Sequence, residues 1–433
     1  MNNHVPSAYL VMPEHGDRTV ARLQQGVRKL ALRTLLTYPL GQLDSGVRRI
    51  VSSLRAVLPG MVKRHGAVLL DALGNVDVQT PLLVAAVGPA HCERTPSELF
   101  AAALPPLLTT LSHRAHQGVI PETVLHDLPL HALTDDDALR RFVFSPPARG
   151  MLVDPLGAEV RLHNGELIRL PRGPKVPPDV EGLTHETAIW RLHPDLPRLH
   201  FSMIDPNPLS MFEAHPDKDG NQVSLGEKSL ETWLEAFREA LELIRVALPG
   251  WFEEIKTSMR RVIPVGYLPE RHLSASYREA PNMAYFTLCD SPLTIAEALI
   301  HETQHTKANL LSWLDPIVHN AHTTWTKSPV RPDLRPLWGV LLAVHAFVPV
   351  SALHHRLAEL DHPITRSERF PRRRAEVLAG NNTGMTAVLE SADPTTHGGR
   401  MIREMNTLHR FLVEAAPEPP PGLDLDPLIL PPS

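Results

Sequence analysis

The chain has 433 residues, with 43 Lys plus Arg against 48 Asp plus Glu and a net charge of −5. At about 150 residues per domain, that length is a soft prior of roughly three domains or one large domain with appendages, and it can bury a sizeable core. The acidic balance argues against a nucleic-acid partner and against a polybasic membrane anchor, and 43% hydrophobic residues exclude a disordered chain.

Two cysteines, Cys92 and Cys289, cannot build a disulfide framework, so a reducing, cytoplasmic compartment is expected. The opening MNNHVPSAYLVMPEHGD lacks a basic stretch followed by an apolar one, so no signal peptide is expected. No uninterrupted apolar run approaches the ~18 residues that cross a bilayer. Proline is the compositional outlier. There are 43, about twice the usual ~5%, while glycine is ordinary at 24. That combination predicts rigid loops and helix starts rather than flexible linkers.

Residues 17 to 75 read as helices. Val20, Leu23, Val27, Leu30 and Ala31 recur at helical spacing. A second helix over SGVRRIVSSLRAVLPGMV is expected to stop at Pro59-Gly60. Helical segments broken by Pro81, Pro89, Pro96, Pro105 and Pro121 continue to about residue 140. After Arg141 the pattern turns to short alternating runs. Ala158, Val160 and Leu162, then Leu167, Ile168 and Leu170, flank HNGE, an Asn-Gly hairpin signal. From about residue 226 the chain is helical again, with Leu230, Trp233, Leu234, Phe237 and Leu241 on one face up to IPVGYLP. HLSASYREAPNMAYFTL predicts one or two strands. A helix then opens at Asp290-Ser291-Pro292, a capping residue followed by Pro near the first helical position. Residues 336 to 361 form a further apolar helix that Pro349 should kink or split. PEPPPGLDLDPLILPPS closes the chain as an extended tail in which Leu428 to Leu430 could dock.

The expected fold class is therefore α+β, mainly α-helical. Its parts are a helical module over 1–140, a β- and loop-rich region over 141–225 that is a candidate for peptide binding, a metal-binding catalytic region over 226–415, and the Pro-rich tail over 416–433.

One motif carries chemistry. His301-Glu302-Thr303-Gln304-His305 is an H-E-x-x-H. Two His four apart on a helix project from one face, one turn apart, and both imidazoles can reach one metal ion. Glu302 lies about 100° around the helix from His301, able to touch a metal-bound water but less suited to ligate. A zinc peptidase with Glu302 as general base is the default reading of such a motif. The metzincin extension is absent, because Ala308 and Leu311 stand where it needs Gly and His. A gluzincin would need a following Glu, for which Glu359 is the best candidate. The third ligand is open among His319, His322, His345, His354, His355, Glu359 and His362. His345 is the first choice, since it lies in the otherwise apolar PLWGVLLAVHAFVPV, where an unpartnered imidazole is costly. The competing reading is a neutral core histidine bonded to a carbonyl.

The segment Ser328-Pro329-Val330-Arg331-Pro332-Asp333-Leu334-Arg335-Pro336 sets two arginines four apart among prolines. Fixed φ angles hold the backbone rigid, and a rigid guanidinium suits bidentate bonding to a carboxylate. The segment reads as anion-binding. The alternative is a structural pair of Asp333 with Arg331 or Arg335.

Taken together, HLSASYREAPNMAYFTL, LTIAEALIHETQHTKANLLSWLD and SPVRPDLRPLWGVLLAVHAFV resemble the HEXXH-motif family of peptide-modifying proteins from ribosomal-peptide natural product clusters. The resemblance spans about residues 270 to 350. The family pattern S-P-W-R-x-D-P-R-P is met at Ser328, Pro329, Arg331, Asp333, Arg335 and Pro336, with Val330 and Leu334 departing from it. The resemblance implies an iron(II)- and 2-oxoglutarate-dependent dioxygenase that hydroxylates side chains, typically at Cβ, of a separately encoded precursor peptide. It implies metal ligation by His301, His305 and a third ligand such as His345, with O2 as the other cosubstrate. Arg331 or Arg335, with Ser328 beside them, would hold the distal carboxylate of 2-oxoglutarate. Glu302 would then orient a water or a ligand histidine. Zinc is the alternative metal.

Overall fold

The computed structural model of the chain describes residues 10–88, 92–114, 123–135, 139–154, 157–171, 175, 178–212, 214–215, 218–328 and 333–423. Among the described residues 53% are helix and 17% strand, an α+β fold that is mainly helical.

Four helices come first: α1 (Thr19–Thr37), α2 (Ser45–Ala72), α3 (Val76–Val87) and α4 (Pro96–Arg114). The stripe read from the sequence is the one α1 buries, with Val20, Val27 and Ala31 facing inward. Helix α2 does not stop at Pro59-Gly60. It runs on to Ala72, and its backbone leaves helical geometry at His65 instead. Leu58, Met61 and Leu69 on both sides of the proline pack into one core, and that packing outweighs the one lost backbone bond. Pro81, Pro105 and Pro106 likewise lie inside helices.

The helical stretch also ends earlier than the sequence suggested, because Thr123–Asp135 is a strand (β1). It pairs antiparallel with β2 (Arg140–Asp154), which continues through β3 (Gly157–Arg161) to β4 (Leu167–Leu170), while β5 (Leu183–Glu186) pairs back onto β2. The Asn-Gly turn joins β3 to β4 as expected, with Gly165 at φ +93°, a conformation that favours glycine. This sheet and α1–α4 share one hydrophobic core, which includes Phe100, Phe142, Phe144 and Leu104. Strand β1 therefore ties the first 140 residues to the region that follows.

Four short strands lead on: β6 (Ile189–Arg191), β7 (His200–Ser202), β8 (Ala214–His215) and β9 (Lys218–Asp219). Two helices follow, α5 (Leu230–Ala247) and α6 (Pro249–Ser258), where the sequence suggested one. Pro249 sits at the start of α6, where its missing N–H costs nothing. Gly250 touches the N-terminal segment so closely that a Cβ would lie 2.3 Å from the Pro13 carbonyl oxygen. Strands β10 (Arg261–Tyr267), β11 (Ser274–Ala275) and β12 (Met283–Leu288) complete a mixed sheet in the order β11-β12-β10-β7-β6. Every residue of β12 is buried, as suits a strand covered on both faces.

Next come α7 (Pro292–Ser312), the hairpin β13 (Trp325–Lys327) and β14 (Leu334–Pro336), and then α8 (Leu337–Glu359), α9 (Arg369–Ser391) and α10 (Thr396–Glu414). Helix α8 is one helix through Pro349. By length and composition it could cross a membrane, but it lies inside the second core, where Val340, Val344, Val348 and Leu353 are fully buried. Each such side chain contributes roughly 1.5–3 kcal/mol on burial, enough to outweigh the hydrogen bond Pro349 forfeits. Leu10, Val11 and Met12 thread into the same core. Residues 428 to 430 lie outside the described residues.

Candidate metal centre

Helix α7 is fixed at its start by Ser291, whose hydroxyl accepts the Thr294 N–H at 3.2 Å. Beyond that cap it is buried nearly all round. Its polar side chains therefore have few water molecules to turn to and must find partners inside the protein.

His301 and His305 find each other. Their Nε2 atoms lie 2.7 Å apart, with ring centroids at 4.3 Å and planes at 87°. The His301 ring also packs edge-on against Phe347 of α8, centroids 4.7 Å apart. Glu302, 1% exposed, brings Oε1 to 3.9 Å from His301 Nε2. One ligand atom from each of these three residues falls within a 4.8 Å cluster, a group that could hold a metal ion. Burial pushes the His301 imidazole well below its ordinary pKa, aided by the neighbouring His305, His272 and Arg373. Burial likewise pushes His305 down to about 4. Both rings are neutral at physiological pH, the form that ligates metal. Lys307, two residues further along the helix, is ion-paired with Glu254 at 2.6 Å.

The donor set fits a divalent cation. Both Nδ1 atoms are buried and find no hydrogen-bond partner among the described residues. Two neutral imidazoles facing each other can share at most one proton. Two lone pairs directed at a common cation would use both nitrogens.

His301 lines a cavity of about 1410 Å³. Its walls come from the loop before β11, the start of α7, Phe347 of α8 and the first turns of α9. His272 is on this wall. Its Nδ1 lies 2.8 Å from the Thr287 carbonyl oxygen, which can only accept, so Nδ1 is the donor. Glu297, one helical turn before His301, lines the cavity too, and both of its oxygens are engaged. His354 Nε2 donates to Oε1 at 2.7 Å, and Arg373 donates to Oε2 from Nε and Nη2 at 2.9 and 2.6 Å. Burial opposes ionisation of Glu297, yet His354 and Arg373 outweigh it and hold the carboxyl at about 2.

The structure thus brings His301, Glu302 and His305 together and leaves the other expected residues elsewhere. His345 is fully buried, and its Nε2 donates to the Leu10 carbonyl oxygen at 2.9 Å. Burial lowers it to about 3. It is a neutral core histidine bonded to a carbonyl, outside the three-residue cluster. Of the other candidates, His354 serves Glu297, His355 faces Glu359 at 3.3 Å, and His362 caps a short turn by accepting the Ile364 N–H. His322 is exposed, and the backbone N–H of His319 is bonded to the Asp393 carbonyl oxygen. Arg331 lies outside the described residues. Arg335, on β14, pairs with Asp333 at 2.9 Å, and of these two only Asp333 lines the cavity. Ser328 follows β13 immediately.

Sequence reasoning passed over His272, Glu297 and Arg373. Glu297 had a legible signal, since Glu297, His301 and His305 step along one helix face at intervals of four. His272 and Arg373 come from distant elements and carried none. No known protein-family model matches this chain, and no curated protein sequence matches it; the likeness described above rests on the quoted residues alone.

Proposed function

We propose that the chain is an iron(II)- and 2-oxoglutarate-dependent hydroxylase that acts on side chains, at Cβ, of a ribosomally made precursor peptide in the cytoplasm. The observation that carries this reading is the pairing of two neutral histidine Nε2 atoms, 2.7 Å apart, with the His301 ring on the wall of a cavity of about 1410 Å³ that a guanidinium also lines. That volume exceeds what a small metabolite needs and leaves room for a peptide side chain beside a cosubstrate.

His301 and His305 would hold the metal, and the nearby Glu302 carboxylate would orient a water or a ring. Iron bound there supplies oxidising chemistry with O2 as cosubstrate. The residues of the chain do the rest. Phe347 packs edge-on against the His301 ring, and burial keeps the imidazoles neutral. His272 stands on the same wall, and an arginine receives the carboxylate of the cosubstrate.

The test is anaerobic loading with iron(II) followed by 2-oxoglutarate, which should produce a weak charge-transfer band in the visible. Incubation with candidate peptides in air should then add one oxygen atom by mass. A second reading, a zinc peptidase, is favoured by the Glu302 Oε1 atom 3.9 Å from His301 Nε2, a position suited to a general base. Peptide cleavage by the zinc form without any visible band would establish it.

A further inference from the structure

We infer that Arg373, anchored by Glu297, is the residue that receives the distal carboxylate of the oxoacid cosubstrate. The inference rests on the function proposed above and names the residue of that site which selects its cosubstrate.

Four arginines line the cavity beside His301: Arg271, Arg369, Arg372 and Arg373. Arg369 and Arg372 are 86% and 68% exposed in their side chains and pair with Glu270 and Glu376. Such exposed pairs are weakly held and stay in water. Arg271 is also exposed. Arg373 differs. Its Nε and Nη2 both bond Oε2 of Glu297, whose side chain is 4% exposed. The other oxygen of Glu297 is held by His354, which is fully buried. The guanidinium is thus locked along one edge by a carboxylate that is itself locked by a second helix. Its other edge, Nη1, has no partner among the described residues, and the side chain remains 41% exposed on the cavity wall.

A planar guanidinium fixed on one edge can offer its remaining N–H groups to a ligand carboxylate with little further loss of rotamer freedom. Glu297 precedes His301 by four residues, about 6 Å along the helix axis. The keto-acid end of the cosubstrate would lie toward the histidine pair and its distal carboxylate toward Arg373.

The experiment compares two oxoacids that differ at the distal carboxylate. The full-length iron(II) protein is titrated without oxygen with 2-oxoglutarate and with 2-oxobutyrate, and the visible band is read for wild type, R373Q and R373K. Wild type should bind 2-oxoglutarate at least ~10-fold more tightly, as one charge-assisted carboxylate contact predicts. R373Q should abolish that preference by weakening 2-oxoglutarate alone, and R373K should keep part of it. Iron content should stay at the wild-type level. Equal affinities in wild type, or a wild-type preference retained in R373Q, would overturn the assignment. Should R373Q fail to fold, the ratio in R373K decides, with an unchanged ratio again overturning it. A wild-type protein that binds iron but gives no band with either oxoacid sinks the proposed function itself, a result distinct from loss of selectivity.

Discussion

Helices α7 and α8 pack against each other in one core, both are buried along most of their length, and each carries histidines, buried on α8 and partly exposed on α7. They use those histidines in opposite ways. On α8 the His345 Nε2 proton goes to the Leu10 carbonyl oxygen, and His354 goes to Glu297. Each is thereby a fixed part of the scaffold. On α7 the two rings point at each other, and one of them opens on a large cavity. Burial depresses His305 and His345 alike, to about 4 and about 3. The perturbation therefore does not separate a candidate ligand from a core residue. What each ring nitrogen faces does.

The sharpest way to break this comparison is to remove one ring from each helix and count metal. His301→Ala or His305→Ala should abolish stoichiometric iron binding and activity together, read by metal analysis of the purified protein. His345→Gln should keep full metal content. It should lose no more than about 1 kcal/mol of stability in urea unfolding, because the Gln amide can still donate to the buried Leu10 carbonyl oxygen. Metal loss in H345Q with an undiminished unfolding midpoint would make His345 a ligand after all.

Acid should stress both helices and their neighbour α10. His409 on α10 is held at about 4 by burial, with its Nε2 facing Asn382 Oδ1 at 3.2 Å. Between pH ~6.5 and about 4 it binds fewer protons in the folded chain than in the unfolded one. Stability therefore falls as pH falls through that window and is fully present above pH ~6.5. One such group contributes up to about 3 kcal/mol across the window. His409→Gln should flatten the pH dependence of the metal-free protein by nearly one proton between pH 6.5 and 5, measured by urea unfolding. An unchanged slope would show that His409 already takes up a proton in the folded state.

The sequence was read well where the signal was local and less well where tertiary packing decided. The cap at Ser291, the Asn-Gly hairpin and the amphipathic stripe of α5 each depend on residues within a few positions, and all three stand in the structure. Prolines were over-weighted as stops. Pro59, Pro81, Pro105 and Pro349 all lie inside helices, because apolar contacts on either side outweigh one missing N–H. The break between α5 and α6 at Pro249 was missed in the opposite sense. In the candidate site, the H-E-x-x-H motif was legible because its geometry is fixed by helix periodicity. His272 and Arg373 were not, since they reach the cavity from a loop and from α9, separated from the motif by 29 and 68 residues (301 − 272 and 373 − 305). Nothing in a single sequence records such a juxtaposition.

The smallest expected effect concerns the arginine that the sequence favoured. Arg335 sits on an exposed two-stranded hairpin and is bonded to Asp333, with side chains 36% and 58% accessible. Solvent screens such a pair, and pairs of this kind contribute roughly 0–1 kcal/mol. Arg335 is absent from the described cavity wall, whereas Arg373 stands on it with an open edge. Arg335→Ala should therefore change the affinity for 2-oxoglutarate by less than about threefold, within the range of one lost surface contact. Unfolding should shift by no more than a few tenths of a kcal/mol, the usual range for surface substitutions. The informative comparison is with R373Q under the same conditions, because both variants remove one positive charge from the same half of the molecule. A general field effect would weaken the oxoacid equally in the two. A large loss confined to R335A would move the carboxylate site to the β13–β14 hairpin.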